Sequence, residues 1–554
     1  MSSTPAAPRA RYLPGPWLLA SAVISVLVLA PVVALAMAAS GGSPDLWRHL
    51  VAYVLPAAAR DTFVLLAGVG LLTAAIGTGA AWLVTAYDFP GRRVFGWALL
   101  LPLAVPTYIV AYAYLDVLHP VGPVQTAIRG ILGFDSPRDF RLPDVRSMAG
   151  CIVLLGFVLY PYVYLTTRAM FLMQASNLID VARTLGSGRR AVFFRVALPL
   201  ARPAVAVGVS LALMEALNDI GASEFLGVRT LTVSIYTTWV TRSDLAGAAQ
   251  IALAMLAVVL ALVFLEQWAR RRRRYANDAQ SPRPMQAHRL RGIRAIAACL
   301  LASIPVVIGF VVPAIYLVHA AIVRVRFAGV SPAILREALN TVAVSSIATV
   351  LTVAAGVAVV YAVRVGRGPL TAALAGASSI GYALPGTVLA IGVLPVAAGA
   401  DRSIEAVLTP LTGIAVGIFA LGSGAALVYA YIVRFLGVAA RGIEAGFSRV
   451  SPSLDDAART LGETANRRLR RVHIPLTRPA IVSAALLVFV DCMKELPATL
   501  LLRPLGFETL ATHLYGEAAR GTYEDAAIAA LLIVIAGLIP VVVLARIGEP
   551  ARLS

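Results

Sequence analysis

Four carboxylates lie inside strongly apolar segments of this 554-residue chain, where an ionised side chain is costly to bury. They form two pairs of equal spacing, Glu215 with Asp219 and Asp491 with Glu495, and the pairs are 276 positions apart. On a continuous helix, a spacing of four places both members on one face. Such faces would line a pathway or gate for cations, or would anchor a helix end by hydrogen bonds. Lys494 adjoins the second pair and would neutralise part of its charge.

Other groups with possible metal chemistry are weaker candidates. Three closely spaced tyrosines could bind ferric iron as phenolates, although such a cluster also suits packing or an interfacial belt: Tyr160, Tyr162 and Tyr164. The three cysteines lie far apart in apolar segments and suit packing: Cys151, Cys299 and Cys492. No His, Cys and carboxylate cluster has ligand spacing, so we expect no tightly bound metal and no cofactor.

The elements that carry these groups are predicted membrane spans. The chain is 59% hydrophobic and 14% charged, well below the charged fraction of about 25% in soluble proteins. Twelve apolar stretches approach or exceed the length of a hydrocarbon core. They lie near 16–38, 62–86, 94–115, 149–171, 203–224, 247–268, 295–321, 339–363, 370–394, 411–436, 479–501 and 525–547. The sequence predicts an all-α polytopic membrane protein.

The net charge of +19 comes mainly from arginines in short loops between these spans. The positive-inside bias places both termini, the linker 270–294 and the stretch from Arg434 to Arg478 in the cytoplasm. An inner (cell) membrane location follows, and nucleic-acid binding is excluded as the reason for the charge. The linker begins with the basic run Arg270 to Arg274, which suits a tether that binds anionic lipid.

The chain is an internal duplication. Residues 180–186 match residues 456–462 at an offset of 276, and a nearby offset of 279 pairs Gly77 with Gly356 and Pro106 with Pro385. The predicted domains are a first half at 1–269, the linker, and a second half at 295–554. Six spans per copy is an even number, so both halves have the same orientation in the membrane.

Each half has a polar cytoplasmic loop between its fourth and fifth spans, at 175–203 and 451–479. Short amphipathic helices are predicted over 177–185 and 454–461, each ended by a glycine, Gly186 or Gly462. A second short basic helix is predicted to follow in each loop and to end at Pro199 or Pro475.

These loops resemble the EAA motif of ABC import permeases, with Asp in place of Glu and, in the first copy, Val181 in place of Ala. The resemblance implies a type I ABC importer permease fold, two copies of a separate ATPase and a periplasmic substrate-binding protein. It implies ATPase docking by Asp180, Ala182, Arg183, Gly186, Pro199, Asp456, Ala458, Arg459, Gly462 and Pro475. The segments 215–222, 491–499 and 500–510 resemble the fused permeases of ferric-iron importers, so ferric iron is the expected cargo.

The chain is not expected to hydrolyse ATP. A P-loop requires a lysine, and the only lysine, Lys494, lies in a predicted span. Thiamine or a phosphonate are alternative cargoes for the same architecture. An ion-coupled secondary transporter is the rival class, and it would leave the paired docking loops unexplained.

Overall fold

The computed structural model describes residues 15–42, 44–173, 188–271, 287–366, 368–412 and 417–547. Within these ranges, eleven helices are long and apolar enough to cross a membrane, and a helix pair bent by 90° makes a twelfth span. The predicted all-α architecture of two six-span halves is confirmed.

We number the spans in chain order. Spans 1 to 6 are Pro16–Ser40, Asp45–Ala86, the bent pair Arg92–Ala104 with Thr107–Val117, Met148–Leu172, Arg190–Asn218 and Leu245–Phe264. Spans 7 to 12 are Ile293–Ala328, Pro332–Gly366, Gly386–Leu411, Ala425–Phe447, Ala465–Met493 and Tyr523–Val542.

Shorter elements connect the spans. The helices are Pro123–Leu132, Gly221–Phe225, Leu231–Tyr236, Pro369–Ser378, Pro452–Thr460, Pro497–Leu502 and Leu510–Arg520. Two short strands, Tyr87–Asp88 and His288–Arg289, pair in parallel and join the end of span 2 to the chain that leads into span 7.

One proline in each half interrupts the third predicted span. Pro106 and Pro385 are repeat partners, and the residues before them are extended: Val105 has φ −104° and ψ 115°, and Leu384 has φ −78° and ψ 127°. Proline lacks the N–H of a helical hydrogen bond and disfavours a helical residue before it. The predictions of continuous spans over 94–115 and 370–394 were therefore wrong.

The boundaries after the second break also differ from the prediction. Span 9 begins at Gly386, and span 10 covers Ala425–Phe447 instead of 411–436. Arg434, predicted to begin a cytoplasmic stretch, lies within span 10.

Spans 5 and 11 continue through their loop prolines. Each has a one-turn π-helix, Phe193–Ala197 or Leu469–His473, followed directly by a helix with Pro199 or Pro475 in its first turn. The wider turn accommodates the missing N–H. The predicted helix ends at these two prolines were therefore wrong, and each loop runs into its span without interruption.

The first span of each half packs against the other half. In span 1, Ser25 Oγ lies 3.0 Å from Ser378 Oγ, and Trp17 Nε1 donates to Asn466 Oδ1 over 2.9 Å. In the opposite sense, Tyr316 of span 7 donates to Asp116 Oδ2 over 2.8 Å. The halves thus exchange their first helices, and neither half forms its packing surface alone.

Candidate functional site

The main cavity lies between the two halves and has a volume of about 340 Å³. Spans 3, 4 and 5 of half one and spans 10, 11 and 12 of half two contribute to its lining. It brings together the four predicted carboxylates and two cations: Glu215, Asp219, Asp491, Glu495, Arg434 and Lys494. The sequence pattern predicted the carboxylates as two separate pairs, and in the structure both pairs line the same cavity.

The two members of each pair do not share one helix face, contrary to the prediction. Span 5 ends at Asn218, and Asp219 is extended with φ −77° and ψ 112°. Span 11 ends at Met493, just before Glu495. The chain then turns into the short helices Gly221–Phe225 and Pro497–Leu502, and the second carboxylate of each pair stands at that turn.

These second carboxylates accept hydrogen bonds from the short helices. Ala222 N donates to Asp219 Oδ1 over 2.8 Å, and Ala498 N donates to Glu495 Oε2 over 3.0 Å. The two bonds are equivalent under the 276 offset, so both halves use an acid in the same way. A carboxylate at a helix start satisfies orphan N–H groups and suits the helix dipole.

The carboxylates of half two are also paired with cations. Lys494 Nζ lies 2.9 Å from Asp491 Oδ1, and Arg434 Nε lies 3.6 Å from Glu495 Oε1. Arg434 Nη1 also donates to Asn218 Oδ1 of half one over 3.2 Å. Half two therefore supplies both cations of the cavity.

The carboxylates of half one have no such ion pair. Glu215 lines the cavity together with Lys494, Arg434 and Asp491 of half two, and no described residue forms an ion pair or a hydrogen bond with its carboxylate. Asp219 is buried near the Thr107 hydroxyl, and no described cation forms an ion pair with its carboxylate. Four acids against two bases leave the cavity with a negative formal charge, located on the side of half one.

Sequence reasoning missed several residues of this cavity. Arg434 was placed at the end of the predicted span 411–436, at the start of a cytoplasmic stretch, although a lone arginine within the apolar stretch 425–440 is itself a signal of a buried ionic site. Asn218 was not considered, yet its Oδ1 also accepts from Gly386 N of half two over 2.7 Å. Tyr108 and Tyr382 complete the aromatic part of the wall.

The three tyrosines do not converge. Tyr160 donates to the Leu99 carbonyl over 2.8 Å and Tyr164 to the Gly96 carbonyl over 2.9 Å, whereas Tyr162 lines the cavity. Across the described ranges no group of three or more His, Cys, Asp or Glu residues is arranged to hold a metal ion.

The docking loops are described for half two alone. Asp180, Ala182, Arg183 and Gly186 lie outside the described residues. In half two, Asp456 and Arg459 are exposed on helix Pro452–Thr460, Ala458 is buried, and Gly462 has a φ of +76°. Leu454 and Leu461 are exposed by 43% and 82%. The loop thus shows apolar and charged side chains together on its surface.

A buried ionic cluster holds this loop against span 8. Arg364 Nε donates to Asp455 Oδ2 over 2.8 Å, and His473 Nε2 lies 2.7 Å from Asp455 Oδ1. Arg364 Nη2 also donates to the Val450 carbonyl over 2.8 Å. Half one has no counterpart, because the equivalent positions hold Thr85, Ile179 and Ala197.

The cluster sets the acid response of the loop. Burial alone would raise the pKa of Asp455, but hydrogen bonds from His473 and Arg364 outweigh it and lower the pKa below 3.8. A carboxylate whose pKa is lower in the folded than in the unfolded state stabilises the fold at any pH above its unfolded-state pKa. That stabilisation is lost as the pH falls through the pKa of the folded state. We therefore expect the contribution of Asp455 to the proteolytic protection of residues 452–473 to be constant between roughly pH 5 and 8. This contribution should fall only in stronger acid. D455N should lose this protection already at pH 7. If protection falls with acid in D455N as it does in the wild type, the prediction is contradicted.

Comparisons with known proteins agree with this architecture. A family model described as "Binding-protein-dependent transport system inner membrane component" matches residues 74–275 and again 354–553. The chain is 23% identical to the Fe(3+)-transport system permease protein FbpB 2 of Haemophilus influenzae, over 88% of this chain and 89% of that protein. It is 26% identical to the probable ABC transporter permease protein y4fN of Sinorhizobium fredii, over 85% and 84%.

A shorter relative matches part of the chain. The molybdenum transport system permease protein ModB of Escherichia coli is 29% identical over 34% of this chain and 82% of its own length. The repeated family match has the period of the structural duplication and covers most spans of both halves. The chain therefore belongs to the family of binding-protein-dependent transport system inner membrane components, and it carries the family's domain twice.

Proposed function

We propose that this permease of an ABC importer carries ferric iron into the cytoplasm and that the cavity between its halves is part of the path. The observation that carries the proposal is the charge of this cavity, where Glu215 and Asp219 have no ion-pair partner among the described residues. A space with excess carboxylate charge attracts a multivalent cation and repels an anion. The Fe(3+)-transport relative, which aligns with 88% of the chain, supports the same cargo.

An oxyanion is the second candidate. Arg434 and Lys494 are the cations of the cavity, and a relative that transports molybdenum aligns with part of the chain. Both cations are already paired with acids at 3.6 and 2.9 Å, so an anion would have to displace those acids. The geometry therefore favours a cation. Thiamine, also cationic, and phosphonates remain alternative cargoes to be tested.

The energy for transport would come from a separate ATPase, two copies of which would bind the two docking loops. Exposed Leu454 and Leu461 beside Asp456 and Arg459 support this role, because apolar side chains outside the bilayer suit a protein partner. A periplasmic binding protein would deliver cargo to the opposite face, with both termini of the permease in the cytoplasm. The permease itself breaks no covalent bond.

The test is uptake of radioactive ferric ion by vesicles that contain the permease, its ATPase and its binding protein. Neutralising Glu215 and Asp219 together, as E215Q/D219N, is expected to lower the initial uptake rate by about tenfold or more, because the unpaired charge of the cavity is removed. E405Q, at an exposed position of span 9, is the matched control and should transport normally.

ATPase co-purification checks that each variant still assembles. Full uptake by an assembled E215Q/D219N variant would contradict the cavity as the path. Uptake of molybdate, thiamine or a phosphonate in place of iron would retain the importer and reject the ferric cargo.

A further inference from the structure

The only lysine of this chain lies in the cavity. The sequence contains 47 lysine and arginine residues, and all of them except Lys494 are arginine. Lysine carries a compact ammonium on a flexible stem, whereas the guanidinium of arginine is planar and broad. Of the two basic side chains, the ammonium is therefore the closer match in shape to a small inorganic cation.

The Lys494 ammonium lies among the acids that a cation would meet. Its Nζ is 2.9 Å from Asp491 Oδ1. Glu215, on the opposite half, lines the same cavity. The backbone at this position is held in place, because Tyr108 of half one donates its hydroxyl to the Lys494 carbonyl over 3.4 Å.

The repeat shows that the fold does not require an ammonium here. The counterpart of Lys494 under the 276 offset is Asn218, at the same end of span 5. Both residues precede an acid that accepts a hydrogen bond from the following short helix. The difference between the halves is thus a positive charge added on one side of a shared space.

We propose that Lys494 is a tethered counter-cation: its ammonium pairs with Asp491 in the cavity that Glu215 also lines while the cavity is empty, and it is displaced when a multivalent cation enters. This rests on the proposed cation pathway and adds a selectivity device to it. A monovalent ion gains little by replacing the ammonium, because the charge is the same. A trivalent ion attracts the same carboxylates with three times the charge and displaces it.

The test is cation binding to the permease–ATPase complex in lipid nanodiscs, without the binding protein and with Tb³⁺ luminescence as the probe. K494N installs the residue of the other half and is expected to bind Tb³⁺ about tenfold more tightly than the wild type, since no tethered charge competes. K494N should also gain binding of Mg²⁺, measured as competition with Tb³⁺. K494R keeps the charge but not the compact shape and is expected to bind Tb³⁺ with an affinity between those of the wild type and K494N. E215Q in the K494N background should reverse the gain.

K494M, which keeps the apolar stem, replaces K494N as the test if the asparagine variant fails to assemble. Unchanged or weaker Tb³⁺ binding in an assembled neutral variant would overturn the proposal. Molybdate binding by the wild type that is lost in K494N would also overturn it, because the lysine would then be an anion ligand.

Failure of this inference is distinguishable from failure of the ferric assignment. Ferric uptake by the wild type with no effect of K494N on Tb³⁺ would reject the tethered cation alone. A Glu215-dependent gain of Tb³⁺ affinity without ferric uptake would retain the tethered cation and reject iron.

Discussion

Replacing Asp455 with alanine is expected to abolish ATP-driven uptake while the membrane spans stay folded. The substitution leaves the buried Arg364 and His473 without their shared carboxylate, and removal of one partner from a buried ion pair costs about 3–5 kcal/mol. That loss falls on the contact between the second docking loop and span 8. Helix Pro452–Thr460, the proposed docking surface, would then move without transmitting its motion to the membrane.

Three measurements check this result: uptake, ATPase co-purification and protease sensitivity of residues 452–473. Glu444 offers a matched control, because it is an exposed acid at the end of span 10 that leads into the same loop. E444A should behave as the wild type in all three. A D455A permease with a protected loop and full uptake would show that the cluster does not couple loop to span.

The second large effect is expected from a single methyl group at Gly392. A Cβ at this position of span 9 would lie 2.2 Å from the Pro31 carbonyl oxygen of span 1. Backbone atoms of a packed helix cannot move aside as a side chain can, so span 1 has to move away. Overpacking of this kind costs about 1–3 kcal/mol. Here it separates span 1 of half one from span 9 of half two.

Gly399 provides the control on the same helix. No atom lies within 4 Å of a Cβ built there, and alanine is the better helix former by about 1 kcal/mol. We therefore expect G392A to lower the midpoint of thermal unfolding in nanodiscs and G399A to raise it or leave it unchanged. Equal midpoints for both variants would contradict the close packing of spans 1 and 9.

The duplication and the spans were predictable because both depend on local composition. Long apolar runs predict helices wherever they lie, and the shared segments of 180–186 and 456–462 required only a comparison of the chain with itself. Pro106 and Pro385 were recognised as repeat partners, but their effect on the helix was not applied. Because the predicted spans 9 and 10 were shifted, Arg434 stood at the end of the predicted span 411–436, whereas it lies in the middle of Ala425–Phe447.

Helix ends were harder to predict than helices. Span 5 ends at Asn218 without a glycine or proline at that position. The local signal for this end is Asp219, which caps the next helix by accepting a hydrogen bond from the N–H of Ala222, three residues later. The Asp455 cluster has no local signal at all. Arg364 is 91 residues away in sequence, and the other half lacks the cluster, so neither periodicity nor repetition points to it.

The exchanged first helices impose an order on biosynthesis. Span 1 is made first, yet Ser378, the partner of its Ser25, follows 353 residues later. At about 5–20 residues per second, the ribosome needs on the order of tens of seconds to complete that interval. Through this delay span 1 has to remain in lipid without its partners in half two. Its mean hydropathy of 2.7 makes this possible, because a strongly apolar helix is stable in the bilayer without a packing partner.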